Sequence, residues 1–275
     1  MRSLALLCLL AVATPAHAAG PEQHYLDLRD RYIAKFSKAG TDEESTKQHT
    51  AAVEQLTTAI RAVTGPVTIK GMPATGASNV DTLDKRDSGF GHLDGLAFDS
   101  ERDKIRVVVT TTTLLQQWLR QRREDGLPQT IDAALRSSEF YYWAIYDSAF
   151  AKYADLPITK PAGASAAFAV LGVRGNGDLK GAPEEIGIVV IQGDKVFYVD
   201  VRDALKTGLI PACEKVWTQM MAKPVNKKDP RGDLKREDDA MAAHTKCFAK
   251  AAPQQPWFAA AVKKAQSQLD LLPLR

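Results

Sequence analysis

No apolar run in this 275-residue chain reaches the length of a membrane-spanning helix, cysteine occurs three times, and neither sign of charge is in clear excess. The first shortage excludes stable membrane insertion, which needs about 20 consecutive apolar residues. The third removes any reason to expect nucleic-acid binding, which depends on clustered basic charge. The net charge is +3, and Arg120, Arg122 and Arg123, the densest basic cluster, are followed at once by Glu124. That pattern predicts a solvated helix end.

Catalytic and cofactor motifs are equally scarce. There is no Gly-x-Ser-x-Gly elbow, no phosphate-cradling Gly-rich loop ending in Lys-Ser/Thr, and no Ser-x-x-Lys. His24, His49, His92 and His244 are too far apart for a helical zinc pair. No metal site and no cofactor is expected. Arg174-Gly175-Asn176-Gly177-Asp178 follows a strand but leads to Lys180-Gly181-Ala182-Pro183 rather than a helix, so it reads as a connecting loop. Arg231-Gly232-Asp233 lies inside a run of mixed charge and is a chance tripeptide.

What is present begins at the N-terminus. Arg2 precedes an apolar run from Leu4 to Ala13, then Pro15 and Ala16-His17-Ala18. This predicts a secretory signal peptide over residues 1–18 with cleavage after Ala18. The remaining chain, 19–275, is expected to be periplasmic or secreted, and the composition suggests a bacterial source. Losing Arg2 leaves 35 basic against 33 acidic residues. Losing Cys8 leaves Cys213 and Cys247, and an even pair in an exported chain predicts one disulfide. A thiol nucleophile assisted by His244, three residues before Cys247, is the alternative.

Helical spacing of Tyr25, Leu28, Tyr32, Ile33 and Phe36 predicts a helix over Pro21–Ser37. Thr41-Asp42-Glu43-Glu44 opens a second, with Val53, Leu56, Ile60 and Val63 on one stripe and Gly65-Pro66 as its stop. Together they form an N-terminal helical hairpin. Val67–Lys70 is a short strand candidate, and Gly71–Gly91 reads as a long loop. Leu93–Phe98 and Ile105–Thr111 make a β-hairpin, followed by a helix capped by Thr113 with Gln116 as partner.

The longest helix is expected from Ile131 to about Tyr153, with Tyr142, Trp143, Tyr146, Phe150 and Tyr153 on one buried arc. Tyr141 points away from that arc. Either a second layer covers it or it contributes to a binding surface. Three strands follow, Ala166–Arg174, Glu185–Ile191 and Lys195–Val201, the last two joined by Gln192-Gly193-Asp194. Pro211–Lys223 and Pro256–Leu272 read as helices, and Asn226–Asp239 as a solvated or mobile charge run.

Helices and strands come in blocks without regular alternation. The predicted class is α+β, a mainly antiparallel sheet with flanking helices, in one domain over 19–275. Possible sub-structure divides it into the helical hairpin, 19–65, and a sheet-containing core, 66–275. The most site-like stretch is Ser88–Gly95, where His92 and Asp94 would share one face of a strand.

The functional expectation is an exported, non-enzymatic binding protein: an inhibitor, an immunity-type protector or an envelope accessory factor. Its partner is expected to be another protein of the envelope or secreted fraction. Two alternatives stand beside it. One is an exported hydrolase built on His92, Asp94 and Glu139; the other is a carrier of an apolar ligand, which requires an enclosed cavity.

Overall fold

The computed structural model describes residues 20–36, 43–78, 93–124, 126–144, 150–174, 184–205, 210–224 and 231–274. Its centre is a seven-stranded sheet in the order β1-β2-β3-β7-β6-β5-β4, antiparallel at every pairing. The strands are β1 (Ala74–Ala77), β2 (Leu96–Ser100), β3 (Ile105–Thr111), β4 (Phe150–Asp155), β5 (Ala166–Arg174), β6 (Glu184–Gln192) and β7 (Lys195–Leu205). The class is α+β, as the block order of elements implies.

Both faces of the sheet are covered, so its central strands are apolar on both sides. In β3, Val107 and Val109 face one layer while Val108 faces the other. The first layer is built by the N-terminal helical pair, α1 (Pro21–Phe36) and α2 (Glu43–Thr64), and by α8 (Phe258–Gln268). Tyr25, Leu56, Ile60, Ala261 and Ala265 meet Phe98, Val107, Ile188 and Val199 there. The second layer consists of α3 (Thr112–Gln121), α4 (Ile131–Arg136) and α5 (Ser138–Ala144), which pack Leu115, Trp118, Leu135 and Phe140 on Val108, Val189 and Tyr198. Two further helices, α6 (Pro211–Met221) and α7 (Gly232–Ala251), join Cys213 and Phe248 to Ala154 at the β4 edge.

Several local expectations are corrected. Thr111, not Thr113, caps α3: it ends β3 in extended conformation, and its hydroxyl accepts from the Leu114 N–H at 3.2 Å. The long helix from Ile131 is broken at Ser137, whose backbone is extended. Its hydroxyl accepts from the Phe140 N–H at 3.1 Å and so caps a new short helix. Phe150–Asp155 is then an edge strand, so the single arc proposed for Phe150 and Tyr153 does not exist. The side chains of Tyr142 and Trp143, and residue Tyr146, lie outside the described residues.

Val67–Lys70 is not a strand: Ile69 makes a single bridge to Met72. Within the expected loop, Ala74–Ala77 instead adds β1 to the sheet edge, and the remainder from Asn79 lies outside the described residues. The charged run is helical from Gly232 onward, because Ala240, His244 and Phe248 recur at four-residue spacing on a buried stripe. Residues 225–230 lie outside the description. The β6–β7 hairpin is as expected, with Gly193 at φ +62° in the turn and Gln192 paired with Lys195.

Candidate functional site

His92 lies outside the described residues, so the hydrolase constellation is represented by Asp94 and Glu139. Asp94 is 2% exposed and bound by two α1 side chains. The Tyr25 hydroxyl donates to Oδ1 at 2.9 Å, and the Arg29 guanidinium pairs with Oδ2. Burial pushes the Asp94 carboxyl above its usual range, against the pull of Arg29 and the Tyr25 hydrogen bond. Desolvation works against the Arg29 charge, but Asp94 and Asp30 more than offset it and raise the guanidinium's pKa. This triad fastens α1 to the chain entering β2. Its carboxylate is already fully engaged by its own scaffold. Glu139 is exposed on α5.

Tyr141 is fully buried and contributes no surface. Its hydroxyl donates to the Leu135 carbonyl at 2.9 Å, and its ring lies over Gly187, where a Cβ would stand 2.8 Å from Cδ1. A layer covers it, the other alternative that the sequence left open. Burial drives its phenol pKa far above the ordinary tyrosine value.

Cys213 and Cys247 form a disulfide with Cα atoms 5.5 Å apart, tying α6 to α7. His244 is 1% exposed, and its Nε2 meets Glu214 Oε1 at 2.9 Å. With both sulfurs consumed, the thiol-nucleophile alternative has no thiol. Among the described residues, no group of three or more His, Cys, Asp and Glu side chains is arranged to hold a metal ion.

A charged row crosses the second face of the sheet, and sequence reasoning missed it. Register places Asp99, Arg106, Asp200 and Gly187 side by side on β2, β3, β7 and β6. Arg106 donates to the Ser78 carbonyl at 2.8 Å, and Asp99 accepts from the Thr75 hydroxyl at 2.8 Å. Asp200 is 4% exposed. Arg106 stands between the two carboxylates, 3.9 Å from Asp99, and its contacts with Asp99 and Ser78 help hold the β1–β3 edge together. The row's visible signal was a charge at a core-phase position inside each of the apolar runs of β3 and β7 (Arg106, Asp200). Arg122 also departs from the expected solvated helix end: it is buried, with its guanidinium 5.9 Å from the Trp118 ring.

An open concave feature of the first layer lies between α1 and α2. It has a volume of about 280 Å³ and an apolar floor made by Leu28, Tyr32, Phe36, Ala52 and Leu56. Arg31 and Lys35 stand exposed on the α1 rim; Gln48, Ala51 and Gln55 form the α2 rim. Arg31 Nε donates to the Asp27 carbonyl at 3.1 Å, and Lys35 Nζ lies 5.2 Å from the centroid of the Phe36 ring. Tyr32 and His49 hydrogen-bond across the two helices, fixing their separation. Among the described residues, no carboxylate lines the groove.

Comparison with protein-family models, curated proteins and solved structures finds no match in any of the three.

Proposed function

We propose that this chain is an exported, non-enzymatic binding protein that holds a partner in the α1–α2 groove. The observation that carries the reading is the groove itself: an open channel between two helices packed on the sheet, in which Leu28, Ala51 and Ala52 keep some exposure above the buried Tyr32, Phe36 and Leu56. Apolar surface rimmed by polar side chains is the usual composition of a docking site. Export is supported by the leader-like residues 1–18 together with the Cys213–Cys247 disulfide, a bond suited to an oxidising compartment. No helix among the described residues is long and apolar enough to cross a membrane.

The magnitudes favour a macromolecular partner over a carried small molecule. Enclosed ligand cavities run from about 300 to 1,000 Å³ and bury most of their ligand. This groove, at about 280 Å³, stands at the lower end of that range and is open along one side, so it encloses no ligand. The partner is therefore a protein of the envelope or secreted fraction, laid against the helical pair.

Affinity capture from those fractions tests the reading, comparing the native chain with Ala51→Trp. Ala51 is exposed on the α2 rim, so an indole there fills the groove without entering the core. A stoichiometric protein retained by the native chain and lost by Ala51→Trp is the expected result. Equal capture by both, or capture of nothing, overturns it.

A further inference from the structure

We infer that the Cys213–Cys247 bond is a reversible redox latch: exchange with a dithiol opens it and frees α6 from α7, while the sheet and its two helical layers stay folded. The burial pattern comes first. Among the described residues, the 11 of α6 bury Cys213 alone, and the 20 of α7 bury Ala240, His244 and Phe248. Val216, Trp217, Met220 and Met221 of α6 are half-buried and still meet water. A helix of 11 residues does not persist in water by itself, so α6 depends on what it is tied to.

The cluster that receives α6 at the β4 edge is small. Its buried members are Ala154, Ile210, Cys213, Phe248 and Ala252, two of them alanines and one the half-cystine itself. The other ties between the two helices are polar or partly wet. His244 Nε2 meets Glu214 Oε1 at 2.9 Å, but the Glu214 side chain is 25% exposed, so the pair adds little net stability. The Trp217 ring stands edge-on to the His244 imidazole, with centroids 6.2 Å apart. Phe248 is anchored elsewhere, stacked on Trp257 at 5.9 Å. The crosslink, more than apolar burial, therefore holds α6 to α7.

Accessibility gives the exchange a direction. Cys213 is fully buried and Cys247 half-buried, so an incoming thiolate reaches Cys247 first. Its attack on the Cys247 sulfur forms a mixed disulfide and breaks the bond to Cys213. Cys213 leaves as a thiolate and takes up the proton that the attacking thiol released. The second thiol of the dithiol then attacks the mixed disulfide and frees Cys247 as a thiol. Two electrons and two protons pass to the protein, and the dithiol leaves as a disulfide. In the chain-entropy model, losing a crosslink of sequence separation 34 raises the population of the opened hairpin roughly 100- to 1,000-fold.

Hydrogen exchange read by mass spectrometry tests the inference. The disulfide-bonded protein is measured without denaturant, then after dithiothreitol, then after re-oxidation with oxidised glutathione. Reduction is expected to speed exchange in α6 and in Gly232–His244 at least 100-fold, with β3, β6 and β7 unchanged, and re-oxidation restores the starting pattern. The variant Cys213→Ala with Cys247→Ala exchanges fast in the same segments from the outset and does not respond to dithiothreitol. A bond that dithiothreitol opens only once denaturant unfolds the sheet overturns the inference. So does an α6 that stays protected in the reduced protein, or a sheet that loses protection together with the hairpin.

Discussion

Arg29 occupies a core-facing position of α1, where its cation is held by buried Asp94 on one side and by Asp30 on the other. Its side chain is 6% exposed and that of Asp94 is 2% exposed. Removing one partner of a buried pair leaves the other charge desolvated and alone, at a cost of about 3–5 kcal/mol. Because Asp30 keeps a hold on Arg29, Asp94→Ala is expected to lower the free energy of unfolding by no more than that amount in urea denaturation. The double variant Arg29→Met with Asp94→Leu restores part of the loss, since no stranded charge remains. Tyr141 gives a second expectation, this one dependent on pH. Tyr141→Phe removes the hydrogen bond to Leu135 and costs about 1–3 kcal/mol near neutrality. Because the folded-state pKa is raised, the native tyrosine's contribution is complete below about pH 10 and lost as pH rises beyond it. The stability gap between native chain and variant therefore narrows above pH 10 in alkaline unfolding curves.

At the scale of elements, the sequence was most legible where periodicity and punctuation agreed. Ala166–Arg174 is a strand over the residues expected, and the α1 periodicity of Tyr25, Tyr32 and Phe36 is the buried stripe observed. The expectation failed where a single polar side chain overrode a pattern. Ser137 caps its own successor helix and ends its predecessor, which no count of apolar spacing reveals. Phe150–Asp155 then becomes a strand because β5 offers it an edge, a tertiary effect beyond local sequence. Gly187 shows the converse, a residue whose identity is explained only by a distant neighbour, the Tyr141 ring above it. Gly187→Ala places a methyl against that ring and is expected to cost about 1–3 kcal/mol. Thermal unfolding reads the loss, and combining it with Tyr141→Phe, which keeps the ring, gives no relief.

At the scale of the molecule, the disulfide and the groove behave differently towards sequence reasoning. With Cys8 of the leader-like stretch set aside, two cysteines can pair in one way, and the Cys213–Cys247 bond is present. It closes a loop of 34 residues in sequence separation, which in the chain-entropy model corresponds to about 3–4 kcal/mol. Replacing both cysteines by alanine is expected to lower stability by that amount. Faster amide exchange should appear first in α6 and α7, while the central strands stay protected. The groove was not legible, because it belongs to neither helix alone. Tyr32 and Phe36 read as core on α1 and are core; the channel comes from half-buried Leu28 facing the small Ala51 and Ala52 of α2. The α1–Asp94 triad was equally hidden, since Arg29 and Asp94 are 65 residues apart. The measurement that bears most directly on the binding reading is photo-crosslinking from benzoylphenylalanine placed at Gln55, on the groove rim, or at Lys195, beside the β6–β7 turn. A defined partner band from Gln55 and none from Lys195 is the predicted result; equal labelling from both positions, or a band from Lys195 alone, contradicts a partner seated between α1 and α2.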